Sequence, residues 1–263
     1  MFSRAFRFFV LTLAIGVPMT ASAAESVEGR PGVEQLFLFT EAKNPTASLI
    51  LLPGGNGRIG INDAGTTDSK SQNFLVRVRA LFAAQGFNVA TLDVSSDHRT
   101  KDGLSGFRAS SDHARDIDAV AAYLKGRSTA PVVLIGTSRG TVSAANAAVR
   151  QGPGTYGAVV LTSSVTRASR REPESLMDVA VETIAIPALV VSHKDDRCAV
   201  SPPTDAPLLI EHLKAAPVKA AIQIEGGGPE EADSCEARTF HGYLHREAEA
   251  VGAIAAWINA TLK

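Results

Sequence analysis

The chain has 263 residues, 45% hydrophobic and 20% charged, with 26 basic against 27 acidic side chains. That length suits one α/β domain with a full core and falls short of two ordinary domains. The near-neutral balance carries nothing basic enough for nucleic acid.

The first residues hold Arg4 and Arg7 and no acid, followed by an apolar run from Phe8 to Val17, then Pro18 and the small residues Ala21-Ser22-Ala23. This is the pattern of a secretory signal peptide, residues 1–23, cut after Ala23. Its apolar run, about ten residues, is short of the roughly 20 that a helix needs to span a bilayer. Position 24 is alanine, so no lipid-acceptor cysteine follows the cut. An exported protein, periplasmic or secreted, is expected, with residues 24–263 as its single domain. Loss of the leader removes two basic residues and no acid, moving the net charge from −1 to −3.

Beyond the leader, short apolar runs alternate with longer amphipathic ones. That predicts an α/β fold with a mostly parallel central sheet and helices on both faces. Strands are predicted at residues 35–40, 48–52, 88–93, 132–136, 158–162, 188–192 and 220–224, rich in the Val, Ile and Leu that suit burial on both sides. Helices are predicted at 71–85, 111–125, 139–150, 205–215 and 243–262, with Ser111 and Asp205 as caps. Within 111–125, Ile117, Val120, Ala121 and Leu124 recur at helical spacing, opposite Asp112, Arg115, Asp116 and Asp118, so one face is buried. The polar stretches 58–70 and 97–110 follow strands, which places them at the carboxyl edge of the sheet where sites form.

The first glycine-rich loop, Pro53-Gly54-Gly55-Asn56-Gly57-Arg58-Ile59-Gly60, contains G-x-G-x-x-G, and Asp93 ends the next strand, as a dinucleotide site would require. Such a site needs a helix to begin at the third glycine. Residues 61–68 have no helical apolar period, and this oxidoreductase reading is therefore disfavoured. No metal-ligand spacing is present, and neither a metal nor a cofactor is expected.

The next motif is Val132-Val133-Leu134-Ile135-Gly136-Thr137-Ser138-Arg139-Gly140, an apolar strand entering G-x-S-x-G and then a small-residue helix. A sharp strand-to-helix turn holds such a serine with its hydroxyl exposed, and glycines two residues either side remove clashes with strand and helix. The flanks resemble the nucleophile elbow of the α/β-hydrolase family, whose triad follows the chain order serine, acid, histidine. Downstream, the strand at 188–192 runs into His193-Lys194-Asp195-Asp196, which is similar to the family's acid loop. The matching position is Asp196, with Asp195 its rival by one residue of turn length. Of the histidines beyond, His212 falls inside a predicted helix and His245 reads as a surface residue of the last helix. His241-Gly242 follows a strand and a glycine-rich loop, as the family's histidine motif does. By the same resemblance Gly55 and Arg139 would supply backbone oxyanion donors, with Asn56 as the alternative to Gly55 and Pro53 standing where many members have histidine.

The resemblance implies a serine hydrolase, an ester of a small molecule or polymer as substrate, and an acyl-enzyme on Ser138. A non-catalytic binding protein on the same scaffold is the alternative. Only about 20 residues, 166–185, are left for a lid, enough for one short helix near 174–180, so an open site fringed by 58–70 and 97–110 is expected. Cys198 and Cys235, the only cysteines, form an even count in an exported chain and are predicted to pair.

Overall fold

A computed structural model describes residues 22–62, 64–68, 71–151, 154–169 and 174–263. The leader up to residue 21 lies outside the described residues. Eight strands form one sheet: β1 (Ala23–Arg30), β2 (Val33–Thr40), β3 (Ser48–Leu52), β4 (Asn88–Ser95), β5 (Val132–Thr137), β6 (Ala158–Thr162), β7 (Ala188–His193) and β8 (Lys219–Ile224). Their order is β1-β2-β4-β3-β5-β6-β7-β8. β2 runs antiparallel to both β1 and β4, and every other neighbouring pair is parallel.

Because side chains alternate along a strand, each central strand feeds two cores. Ile50, Leu52 and Leu134 pack with Val120 and Leu124 of α2 (Ser111–Arg127) and Val142 of α3 (Gly140–Arg150). Leu49, Leu51, Val133 and Ile135 meet Phe74 and Val78 of α1 (Phe74–Ala84) and Ile254 of α5 (Glu247–Thr261) on the other face. α4 (Ala206–His212) joins the first core through Leu209. The three-layer arrangement expected from the alternating pattern is therefore present.

Four local expectations need correction. β1 was not foreseen, because its sequence AAESVEGR is polar and half-buried at a sheet edge. It is fastened where Arg30 donates from Nε to the fully buried carboxylate of Asp116, 2.9 Å away. Ser110 rather than Ser111 caps α2, its hydroxyl accepting from His113 N at 3.0 Å. Asp205 makes no capping bond, since its carboxylate is taken by Thr166 and Arg167, while a proline opens α4 where no N–H is needed. The last helix begins at Glu247, because Tyr243 (φ +56°) and His245 (φ +63°) adopt left-handed backbone conformations that a helix cannot contain. His245 thus sits in a turn.

Between β6 and β7 the described residues contain only single 3₁₀ turns at Leu176–Asp178 and Val181–Thr183, so the domain has at most a minimal lid.

His113 projects from the buried face of α2, its Nε2 2.9 Å from Ser143 Oγ on α3. Burial first, then the positive charges of Arg108, His98 and Arg30, push its pKa from 6.5 down to about 3. Below pH 6.5 the unfolded chain thus binds a proton that the folded chain refuses. Stability is full above the unfolded value and is lost as pH falls towards 3, by about 1.4 kcal/mol per unit from this group. Urea midpoints at pH 7, 5.5 and 4.5 should show wild type losing its advantage over His113→Gln as pH falls; a pH-independent gap contradicts this.

Candidate active site

The loops after β3 and β5 flank the point where strand order reverses, the place at which an open α/β sheet forms a crevice. There Ser138 occupies φ +52°, a conformation that non-glycine residues adopt at a cost of about 1–3 kcal/mol. The turn is held by Ser138 N donating to Thr162 O (2.9 Å) and by Thr141 N and Oγ1 donating to Ser138 O (2.9 and 2.6 Å). A Cβ on Gly136 would lie 2.3 Å from Gly140 O, and one on Gly140 would lie 2.0 Å from Leu52 O. Both glycines of the G-x-S-x-G motif are therefore demanded by strand–helix contact.

His241 lies in the 3₁₀ turn Phe240–Gly242, and its Nδ1 is 2.8 Å from Asp196 Oδ2. Both side chains are almost fully buried, with 5% and 2% exposure. The other carboxylate oxygen accepts from Cys198 N at 2.8 Å, so Asp196 is fixed at both ends. Asp195 is exposed, and its N–H donates to His193 Nδ1 at 3.1 Å. The structure brings Asp196, and not its neighbour, to the histidine. His241 Nε2 is buried without a hydrogen-bond partner and belongs to a side chain lining the same cleft as Ser138.

That cleft has a volume of about 590 Å³, within the range of small-molecule sites. Gly54, Gly55 and Arg139 line it with Ser138 and His241, as do Asn56, Arg58, Gln72 and Asn73. Gly55 takes φ +58°. Gly55 and Arg139, the two residues expected to offer oxyanion donors, thus line the same cleft as Ser138. The two polar loops behave differently from expectation. Of 58–70, Arg58 borders the cleft, whereas 97–110 lies behind the glycine loop and supports it. Leu104 N donates to Asn56 O at 2.9 Å, Asn56 Nδ2 donates to Lys101 O at 3.1 Å, and Ser105 Oγ receives Arg139 Nη2 at 3.1 Å.

No family model and no curated protein matches the sequence. Solved structures do match it. An esterase of Pyrococcus furiosus superposes with a TM-score of 0.64 at 12% identity, covering 93% of this chain and 94% of that one. The chain has the α/β-hydrolase fold. A serine hydrolase without a lid from Xanthomonas campestris gives 0.59 at 15% identity, over 91% and 95% of the two chains. A puromycin-hydrolysing peptidase of Mycobacterium tuberculosis gives 0.63 at 17%, over 92% of this chain and 39% of that one.

The dinucleotide motif lacks the surroundings that such a site needs. Among the described residues between Gly60 and Phe74 there is no helix, and Asp93 is consumed by the loop: Oδ1 accepts from Ile59 N and Oδ2 from Ile61 N, each at 2.9 Å.

Sequence reasoning missed the residues that hold the histidine segment. Tyr243 Oη donates to Val191 O (2.9 Å) and accepts from Ser163 N (3.1 Å), while Ser163 Oγ donates to His241 O (2.8 Å). Burial raises the Tyr243 pKa, so the phenol stays protonated and keeps donating. Arg77 of α1 donates to the carbonyls of Ala237 and Gly242, both at 2.9 Å. Tyr243 adjoins the His-Gly pair and could have been flagged; Arg77 has no local signal at all.

Cys198 and Cys235 form a disulfide across a separation of 37 residues, and both line the cleft. Closing such a loop stabilises by about 3–4 kcal/mol in the chain-entropy model. Cys198→Ala/Cys235→Ala should lower the melting temperature and also turnover, because the bridge ties the acid loop to the histidine segment and small misplacements slow catalysis. Calorimetry beside kinetics checks it: unchanged turnover in a destabilised variant would confine the bridge to stability.

Proposed function

We propose that this protein is an exported serine hydrolase cleaving a carboxylic ester through an acyl-enzyme on Ser138. The observation that carries this reading is the pairing in one cleft of a strained, helix-terminal serine with a histidine whose Nδ1 is held by a buried carboxylate and whose Nε2 is unpartnered. In that arrangement the Asp196 bond selects the tautomer with the proton on Nδ1, leaving Nε2 to accept one.

In the reaction, Ser138 Oγ attacks the acyl carbon as its proton passes to His241 Nε2. The carbonyl oxygen becomes an oxyanion, which the backbone N–H groups of Gly55 and Arg139 stabilise together with the positive end of α3. The imidazolium then gives its proton to the leaving alkoxide, and water repeats the sequence in reverse to free the acid and regenerate Ser138. Asp196 orients the ring throughout.

An ester is favoured over an amide because the alkoxide leaves more readily, and esterases stand among the structural neighbours. Export is supported by the leader pattern and by a disulfide, which persists in oxidising compartments. No helix among the described residues is long and apolar enough to cross a membrane.

Ser138→Ala should fold with a wild-type melting curve, fail to take up a fluorophosphonate probe and lose all but about one part in a hundred of ester turnover, or less. Turnover retained above that level removes Ser138 from the mechanism.

Asp196→Asn should cost several orders of magnitude in kcat by favouring the wrong imidazole tautomer, and Asp195→Asn much less. Kinetics with a chromogenic ester check the ranking, and the opposite order would pass the role to Asp195.

A further inference from the structure

Among the described residues Arg108 is one of the largest fully buried side chains, with 1% exposure, and it lies outside the cleft. Its Nη2 donates to Pro53 O at 3.0 Å and to Gly55 O at 3.1 Å, and its Nη1 donates to Ser143 Oγ at 2.7 Å. The carbonyls of Pro53 and Gly55 belong to the two peptide units either side of the Gly54–Gly55 unit. That central unit carries the Gly55 N–H which the proposed mechanism uses as an oxyanion donor. Peptide units are planar, so fixing both neighbours leaves the central one little freedom to turn. Without such a clamp, a segment reading Gly54-Gly55-Asn56-Gly57 would be among the most mobile in the chain.

The other end of the arginine is anchored on the helix that carries the serine. Ser143 lies on α3, and Asn146, one turn further, donates from Nδ2 to Arg108 O (3.0 Å) and to Ser110 O (2.7 Å). Arg139, next to Ser138, adds a second guanidinium bond to Gly55 O at 3.2 Å. A single rigid path thus runs from the elbow helix through Arg108 to the glycine loop, and charge-assisted bonds are the stronger kind for such a path.

We propose that Arg108 is the positioning residue of the oxyanion loop, holding the Gly55 N–H aimed at the oxygen that becomes negative after attack by Ser138. The role rests on the serine-hydrolase reading. The interaction it maintains is realised fully only in the tetrahedral state, so its loss falls on kcat more than on KM. Lysine keeps the charge but cannot reach both carbonyls and Ser143 at once, because an ammonium is a single point and a guanidinium a fork.

The test is Arg108→Lys in the full-length mature protein, with live sites counted by end-point fluorophosphonate labelling so that misfolded molecules drop out. Per labelled serine, kcat should fall about 10- to 100-fold with KM within about threefold, and affinity for a boronic acid that forms a tetrahedral adduct should fall by the same factor as kcat/KM. A kcat per labelled serine within about twofold of wild type, or a loss of kcat with boronate affinity retained, overturns the assignment. Should Arg108→Lys not fold, Ser143→Ala removes one anchor and leaves the guanidinium in place. It should show the same paired loss at smaller size, and no loss in either quantity overturns the proposal equally. Failure of the underlying reading looks different: wild type would take no label and Ser138→Ala would keep its turnover.

Discussion

The structure is organised around one steric constraint, the passage of the backbone of α3 directly over the ends of β3 and β5. Gly140 sits so close to Leu52 that no side chain could intervene, and Gly136 is equally pressed against Gly140. This contact forces the intervening Thr137-Ser138-Arg139 into a sharp turn and puts Ser138 at φ +52°. The cost of that conformation is of the order of 1–3 kcal/mol. It is met by the elements on either side: every residue of β5 is buried, as are the first nine of α3. The turn cannot relax without dislodging a strand at the centre of the sheet. The same constraint brings the second residue after β3 beside the serine, since a Cβ on Gly54 would stand 2.9 Å from Ser138 Cβ. One packing contact therefore sets the serine, the helix end below it and the glycine loop facing it.

Around the elbow a common device recurs, in which an irregular loop is held by one buried polar side chain that reaches its backbone. Asp93 takes the N–H groups of Ile59 and Ile61, Arg108 the carbonyls of Pro53 and Gly55, Asp196 the N–H of Cys198, and Ser163 the carbonyl of His241. Loops leave backbone groups without ladder partners, and in a buried setting each such group costs free energy until it is satisfied. A charged or hydroxyl side chain from a neighbouring element does this while also fixing orientation. It explains why long polar segments at the carboxyl edge can be rigid without being regular.

Most of the framework could be read from the residues because it is encoded locally. Runs such as Leu49–Leu52 and Val132–Ile135 are apolar on both faces, as only a central strand requires, and the helical spacing of Ile117, Val120, Ala121 and Leu124 marks a buried face. The candidate triad was legible for a similar reason: its members follow strand ends in a fixed order. What was not legible depends on partners far along the chain. β1 is a strand because β2 and Asp116 receive it, not because AAESVEGR favours one. Residues 97–110 look like a site rim in sequence, and only the position of Asn56 and Arg139 turns them into a support. Arg108 and Arg77 are single arginines without periodicity or motif, and their meaning lies wholly in carbonyls some 50 to 165 positions away. The choice between Asp195 and Asp196 depended on a turn in which His193 captures the first N–H and leaves the second carboxylate facing inward.

The two halves of the cleft are held by different means, and the sheet explains why. The serine half grows from β3 and β5, which have neighbours on both sides and are buried throughout. The histidine half follows β8, the edge strand, whose alternating exposure leaves only Ile224 fully buried. An edge strand has a single hydrogen-bonded neighbour and opens more easily than a central one. A segment launched from it cannot be positioned by the sheet alone. The covalent and polar ties accumulate there: the disulfide from Cys235 to the acid loop, Arg77 reaching across from α1, and Tyr243 with Ser163 joining the turn to β6 and β7. Each tie lands on a strand or helix nearer the middle of the sheet, or on the loop that directly follows such a strand. The histidine thereby inherits its precision from elements it does not follow in sequence, as a hydrogen bond to Asp196 buried at both ends requires.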